Sequence, residues 1–173
     1  MPRGPGSYGV CYGVKSNYNL LALPALTIVI LDQLSKFLVV CTIQLHETIP
    51  VINGFFNLVH IRNRGIAFGL MNRPGGNLIF TFLITSTIGA IVLLVLWFLR
   101  LKNENIGVIL GLSLILGGAV GNLVDRLRLR EVIDFLDLYI GPYHWPAFNV
   151  ADSAITVGAF WVAINMIFLH SAK

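Results

Sequence analysis

Four long apolar runs, each closed off by a polar stretch, organise the chain. They cover roughly 18–42, 77–99, 106–124 and 150–169. About 20 apolar residues in helical form cross about 30 Å of hydrocarbon, so each run is long enough to span a bilayer. The second carries no charge, and the first holds only Asp32 and Lys36. The second and third are joined by the brief polar segment "RLKNEN", which makes them an antiparallel hairpin. Four spans return the chain to the side on which it began. The two longer connections, about residues 43–76 and 125–149, then share the opposite side.

The first of these connections has a different pattern. "TIPVINGFFNLVHIRNRGIAFGL" is rich in β-branched and aromatic residues, with Asn53–Gly54 as a hairpin signal. It predicts a small sheet resting against the membrane surface. Residues 1–17, rich in Gly and Pro, read as a flexible tail, leaving 18–173 as a single membrane domain. The apolar stretch after the tail continues through "DQLSK", so it reads as an uncleaved span rather than a signal peptide.

Composition agrees with the pattern. The 173 residues are 56% hydrophobic and 12% charged, against about 25% charged in soluble domains. The net charge of +4 is scattered, without the basic patch of a nucleic-acid binder. Cys11 and Cys41 lack metal or redox spacing and read as two unrelated thiols. Orientation does not follow from charge. Five Lys and Arg flank the spans on the terminal side and six on the other, so the positive-inside rule leaves the matter undecided.

Charged groups within spans cost at least about 2.5–3.5 kcal/mol each, which draws attention to the few present. Asp32 and Lys36 stand four apart, acid first, the favourable order for a helical pair. They read as a structural pair facing the bundle interior. In "GGAVGNLVDRLRLREVIDFLD" the glycines permit close helix packing. Asn122 and Asp125 share a helix face at the end of the third span, beside Arg126. Asp134 is flanked by Val132, Ile133, Phe135 and Leu136, a setting that raises a carboxyl pKa. Asp152 lies one turn into the fourth helix, behind Asn149 as a helix cap. Two carboxylates near one membrane face can share a proton. One can then activate water while the other protonates a leaving amine, which is peptide hydrolysis without a metal. No HExxH, GxSxG or phosphate loop occurs, and the four histidines show no ligand spacing. No cofactor or metal is expected. The alternative is a small proton-coupled transporter, with these acids as a relay. Relay acids belong in mid-span, whereas Asp134 and Asp152 fall at span ends.

Five motifs in order, "DQLSK", "RNRGIAFG", "GGAVGNLVDR", "VIDF" and "FNVADSAITVG", give the chain a resemblance to bacterial lipoprotein signal peptidases (signal peptidase II). It extends from Asp32 to the end of the fourth span. The resemblance implies a mostly α integral membrane protein, with four transmembrane helices and an extracytoplasmic β-cradle between helices 1 and 2. It implies an aspartic endopeptidase of the cytoplasmic (inner) membrane, with both termini cytoplasmic and the active site at the outer face. Such an enzyme cuts diacylglyceryl-modified prolipoproteins just before the lipidated cysteine. The catalytic dyad maps onto Asp134 and Asp152. Asn63, Asn122, Arg126 and Asn149 match positions that line the site or hold substrate, and Asp32, Lys36 and Asp125 are structural polar residues. Membrane lipid and the prolipoprotein are the expected partners, and a monomer is the expected state. Tyr143 and Trp145 read as interfacial anchors. The chain departs from the family at Arg64, where small residues are frequent, and at Glu131, where glycine is frequent.

Overall fold

A computed structural model describes residues 13–65, 76–101 and 106–171. Four long helices form where the apolar runs predict them: α1 (Gly13–Thr42), α2 (Gly76–Arg100), α3 (Ile106–Leu129) and α4 (Val150–Ser171). All four are long and apolar enough to cross a bilayer. Two ends differ from expectation. α1 already begins at Gly13, inside the segment read as tail, while residues 1–12 of that tail, with Cys11, lie outside the described residues. α3 runs past Val124 to Leu129, so Asp125 and Arg126 belong to the helix and not to the loop after it. The helix stops at Arg130, whose φ of 60° is left-handed, the usual geometry just past a helix C-terminus. A non-glycine residue thus occupies a left-handed backbone position directly before Glu131. Its guanidinium lies 5.1 Å from the centre of the Phe80 ring on α2.

α3 is the central helix. Over its apolar stretch 56% of residues are buried within the protein, against none for α2, so α2 faces lipid on most of its surface. Glycines let α3 approach its neighbours at backbone distance. A methyl group on Gly118 would collide with the Ala151 carbonyl of α4, and one on Gly117 with the Ala25 carbonyl of α1. At Gly121 it would meet the Asp32 carboxylate.

The connections build an antiparallel sheet of four strands: β1 (Thr48–Ile52), β2 (Phe56–Asn63), β3 (Val132–Ile140) and β4 (Tyr143–His144), in that spatial order. The Asn53–Gly54 turn closes the first hairpin, with Gly54 at a φ of 82°. The sheet is not confined to the first connection. β2 pairs along its length with β3, which lies between α3 and α4 in sequence, placing Ile61 opposite Asp134 and Asn63 opposite Val132. The cradle is thus shared between both connections and ties their helices together.

Two apolar clusters sandwich a polar layer. Phe98, Val108, Ile109, Leu112 and Val162 pack at the end away from the sheet. Val39, Ile43, Ile133 and Phe135 pack where the sheet meets α1. Between them Lys36 is 2% exposed and Asp32 0%. The expected pair forms, with Lys36 Nζ donating to Asp32 Oδ2 at 2.8 Å. The same ammonium also reaches α3, bonding Asp125 Oδ2 at 2.8 Å and Asn122 Oδ1 at 3.1 Å. All three of its protons are thereby used. Asp32 Oδ1 in turn accepts the Ala151 backbone N–H at 2.9 Å, satisfying a free donor in the first turn of α4.

Lys36→Met keeps the stem and removes the charge. It leaves two buried carboxylates without their cation, which costs about 3–5 kcal/mol. The expected outcome is a lower thermal midpoint in detergent and less folded protein. Wild-type thermal stability in this variant would show that the ion pair is dispensable to the fold. Asp32→Ala should likewise reduce the amount of folded protein more than the turnover of what remains.

Candidate active site

Two pieces of backbone bring the sequence-predicted acids to one place. β3 carries Asp134 at its third position. The strap before α4 then runs beside β3, with Phe148 N–H donating to Leu136 O at 3.0 Å and Leu136 N–H to Phe148 O at 2.9 Å. That pairing delivers Asn149, the next residue, against Ile133 and Asp134. α4 starts there, which puts Asp152 in its first turn.

Asn149 joins the two halves. Fully buried, it caps α4 by accepting the Asp152 backbone N–H on Oδ1 at 2.9 Å. Its Nδ2 donates to Asp134 Oδ1 at 2.7 Å and to the Ile133 carbonyl at 3.2 Å. Asn63, at the end of β2, donates to the other Asp134 oxygen at 2.9 Å, while its own Oδ1 accepts the Gly65 N–H at 2.8 Å. Asn122 donates to Asp152 Oδ1 at 2.7 Å, its own Oδ1 being fixed by Lys36. Each carboxylate is therefore oriented by asparagine amides. Asp152 Oδ2 accepts no hydrogen bond among the described residues, and the side chain is half-buried.

The two acids differ electrostatically. Burial pushes the Asp134 carboxyl up to about 6. The Asn63 donor pulls it back down, the Asp152 charge adds to the rise, and Asn149 and Lys36 oppose it. Asp134 thus titrates well above the ordinary carboxylate range.

Among the described residues, three cavities converge on the pair. One of about 360 Å³ opens on Asp134 between Ile61–Arg64 and Pro146–Ala147. A second, about 450 Å³, reaches Asp152 past Leu138, Trp145, Phe148 and Val157. The third, about 370 Å³, lies between α2, α3 and α4 and reaches Asp152 beside Asn122 and Arg126. Among the described residues, no three His, Cys, Asp or Glu are placed to hold a metal ion.

The sequence-predicted residues divide into two sets. Asp134, Asp152, Asn63, Asn122 and Asn149 form one hydrogen-bonded group, with Arg126 at the interhelical cavity. Asp32, Lys36 and Asp125 form the layer behind it. Asp125 is 3% exposed; it binds Lys36 and accepts the Ile133 N–H at 3.3 Å, and is no surface partner of Arg126. Gln33 was missed. Its amide donates to Asp125 Oδ1 at 2.9 Å and to the Gly121 carbonyl at 3.2 Å. A long polar side chain within a span was the available signal.

Known proteins resemble this chain over most of its length. The family profile described as signal peptidase (SPase) II matches residues 24–168. A lipoprotein signal peptidase of Syntrophus aciditrophicus is 46% identical over 156 residues, covering 89% of this chain and 96% of that protein. One from Desulforapulum autotrophicum is 49% identical over 150 residues, covering 86% and 91%. A solved bacterial membrane enzyme superposes with a TM-score of 0.75 at 34% identity, covering 87% of this chain and 89% of its own. Four membrane-spanning helices, a shared sheet and a match along 24–168 lead to one assignment: the chain belongs to the signal peptidase II family.

Proposed function

We propose that Asp134 and Asp152 are the catalytic pair of an endopeptidase that removes signal peptides from prolipoproteins, cutting before a cysteine that carries diacylglycerol. The observation that carries this reading is the joint orientation of two acids from different elements by Asn63, Asn122 and Asn149. The family and its lipoprotein signal peptidase relatives supply the substrate class. They give no support to a transporter.

Asp152 Oδ2, without a protein donor, takes a proton from water as the water oxygen attacks the scissile carbonyl carbon. Asp134 in its protonated form donates to the carbonyl oxygen. The tetrahedral intermediate collapses when the C–N bond breaks. The proton held by Asp152 passes to the departing amine, and Asp134 recovers its own from the intermediate's hydroxyl. Arg126 faces the same space from α3 and supplies positive charge beside the developing oxyanion. The asparagines act as positioning residues. Both acids lie at the sheet end of the bundle, and we place that end at the outer face of the bacterial inner membrane, with both termini in the cytoplasm. The chain works there as a monomer in contact with lipid. A lipidated substrate then meets the acids without leaving the bilayer, since each exposed CH₂ costs about 0.8 kcal/mol.

Asp134→Asn and Asp152→Asn should each lower turnover of a diacylglyceryl prolipoprotein by at least about 10²-fold, with folded protein still present in the membrane. Gel mobility of the substrate reads the result. Near wild-type cleavage by either variant would remove that residue from the pair.

The pH dependence has a definite sign. Asp134 is protonated below about 6 and loses its proton as pH rises through that value, so cleavage should decline on the alkaline side. The Asn63 amide stabilises the ionised carboxylate. Asn63→Ala should therefore move the alkaline limb of the turnover–pH profile upward, together with a loss of rate from a less well-held acid. A reduced rate with an unmoved limb would place Asn63 in substrate binding instead.

A further inference from the structure

The three cavities at the acid pair differ in chemistry, and so do the three parts of a lipidated precursor. Resting on the function proposed above, each part has a matching space. The signal segment is an apolar helix, and the cavity between α2, α3 and α4 is bounded by spans. The acyl chains are hydrocarbon, and the cavity past Leu138, Trp145, Phe148 and Val157 is mostly apolar. The polypeptide after the cut is a polar chain outside the bilayer. The cavity that suits it is the one at Asp134, bounded among the described residues by the sheet and the strap before α4.

That cavity has an electrostatic rim. Arg62 and Arg64 both line it, but they are not equivalent. Arg64 is held by Glu131, Nε to Oε1 at 2.9 Å and Nη2 to Oε1 at 2.9 Å. The two departures from the family pattern are thus joined to each other across the β2–β3 ends, and their charges cancel. Arg62 is exposed and has no ion pair among the described residues. Directly beyond it, Asn63 touches Asp134. A polypeptide leaving the acid pair through this cavity passes Arg62, the one rim cation among the described residues without a carboxylate partner.

We propose that Arg62 is a specificity-determining residue that reads the charge of the first few residues following the lipidated cysteine. Acidic side chains there are favoured and basic ones disfavoured. Without a cation at the rim, the negative charge of the catalytic pair would produce the opposite preference, because like charges near the site repel. Arg62 offsets that repulsion and reverses its sign. The interaction is between exposed groups, so its effect is modest and sensitive to salt.

The test uses the full-length enzyme in detergent and three diacylglyceryl precursor peptides. They are identical except for Asp-Asp, Ser-Ser or Lys-Lys at the two positions after the cysteine. Competition between them gives ratios of kcat/KM. The wild type should favour Asp-Asp over Lys-Lys by about two- to fivefold, and the ratio should fall toward one near 1 M salt, where the Debye length is about 3 Å. Arg62→Gln, which removes the rim cation, should leave a weak basic preference, and Arg62→Glu should invert the order more strongly. An unchanged order in Arg62→Glu, or a wild type indifferent to these charges at low salt, overturns the proposal. The wild type's salt dependence tests the idea independently of how either variant folds. Failure of the wild type to cut any of the three peptides would instead strike at the proposed function.

Discussion

One buried ammonium group sets the geometry of everything around it. Lys36 has no solvent and three protons to place, and it finds Asp32, Asp125 and Asn122. These acceptors lie on α1 and α3, so the two helices can close only in the register that brings them together. Asp32 then uses its second oxygen on the Ala151 N–H, which fixes where α4 begins. A lone ammonium or carboxylate in hydrocarbon carries a penalty large enough to reject alternative packings. The layer thus confers a single arrangement, whatever its net worth in stability.

From that layer the acid pair is one bond away in two directions. Asn122 accepts from Lys36 and donates to Asp152. Asp125 accepts the Ile133 N–H, which anchors β3 just before Asp134. Asn149 closes the circuit by touching Asp134, Ile133 and Asn122 while capping α4. Each asparagine has a donor end and an acceptor end: Asn122 passes orientation from the Lys36 charge to Asp152, whereas Asn149 and Asn63 pass it from backbone N–H groups to Asp134. This is why amides, and not further charges, stand between the structural acids and the proposed catalytic pair. An additional acid would add repulsion, and a lysine or arginine would hold Asp134 ionised.

The helices were legible because hydrocarbon imposes a strong local pattern, and the spans could be read from uninterrupted apolar runs. Asn53–Gly54 announced its hairpin for an equally local reason, a left-handed turn position. What escaped was non-local. The segment "VIDFLDLYI" has the branched and aromatic residues of a strand, yet its partner β2 is about 70 residues earlier, and no local period reveals such a pairing. The end of α3 was misplaced because "DRLRLR" is polar and looks like a loop. In fact Asp125 turns inward to Lys36, and Arg126 faces the cavity between α2, α3 and α4. The resemblance named Asn63, Asn122 and Asn149, but their individual duties depended on which oxygen each amide meets. Gln33 escaped for the same reason, since its acceptors lie on another helix.

The hydrolysis proposed for this pair imposes opposing demands beside a bilayer, and the settings of the two acids differ accordingly. Asp134 is buried, with both oxygens committed to asparagines, and its raised pKa lets it hold a proton near neutrality. Asp152 is half-buried with one oxygen uncommitted, so water can reach it. The difference arises from backbone position alone. Asp134 faces inward from a strand between β2 and the strap, whereas Asp152 sits on the first turn of a helix whose flank borders two cavities. Exchanging the settings would bury the carboxylate that water now reaches. The sheet is therefore more than a platform for substrate, because without β2 and β3 in register Asp134 would have neither its burial nor its partner Asn63. The same strand end that shelters Asp134 presents Arg62 to the outside. The wet rim and the dry acid are consecutive features of one sheet edge.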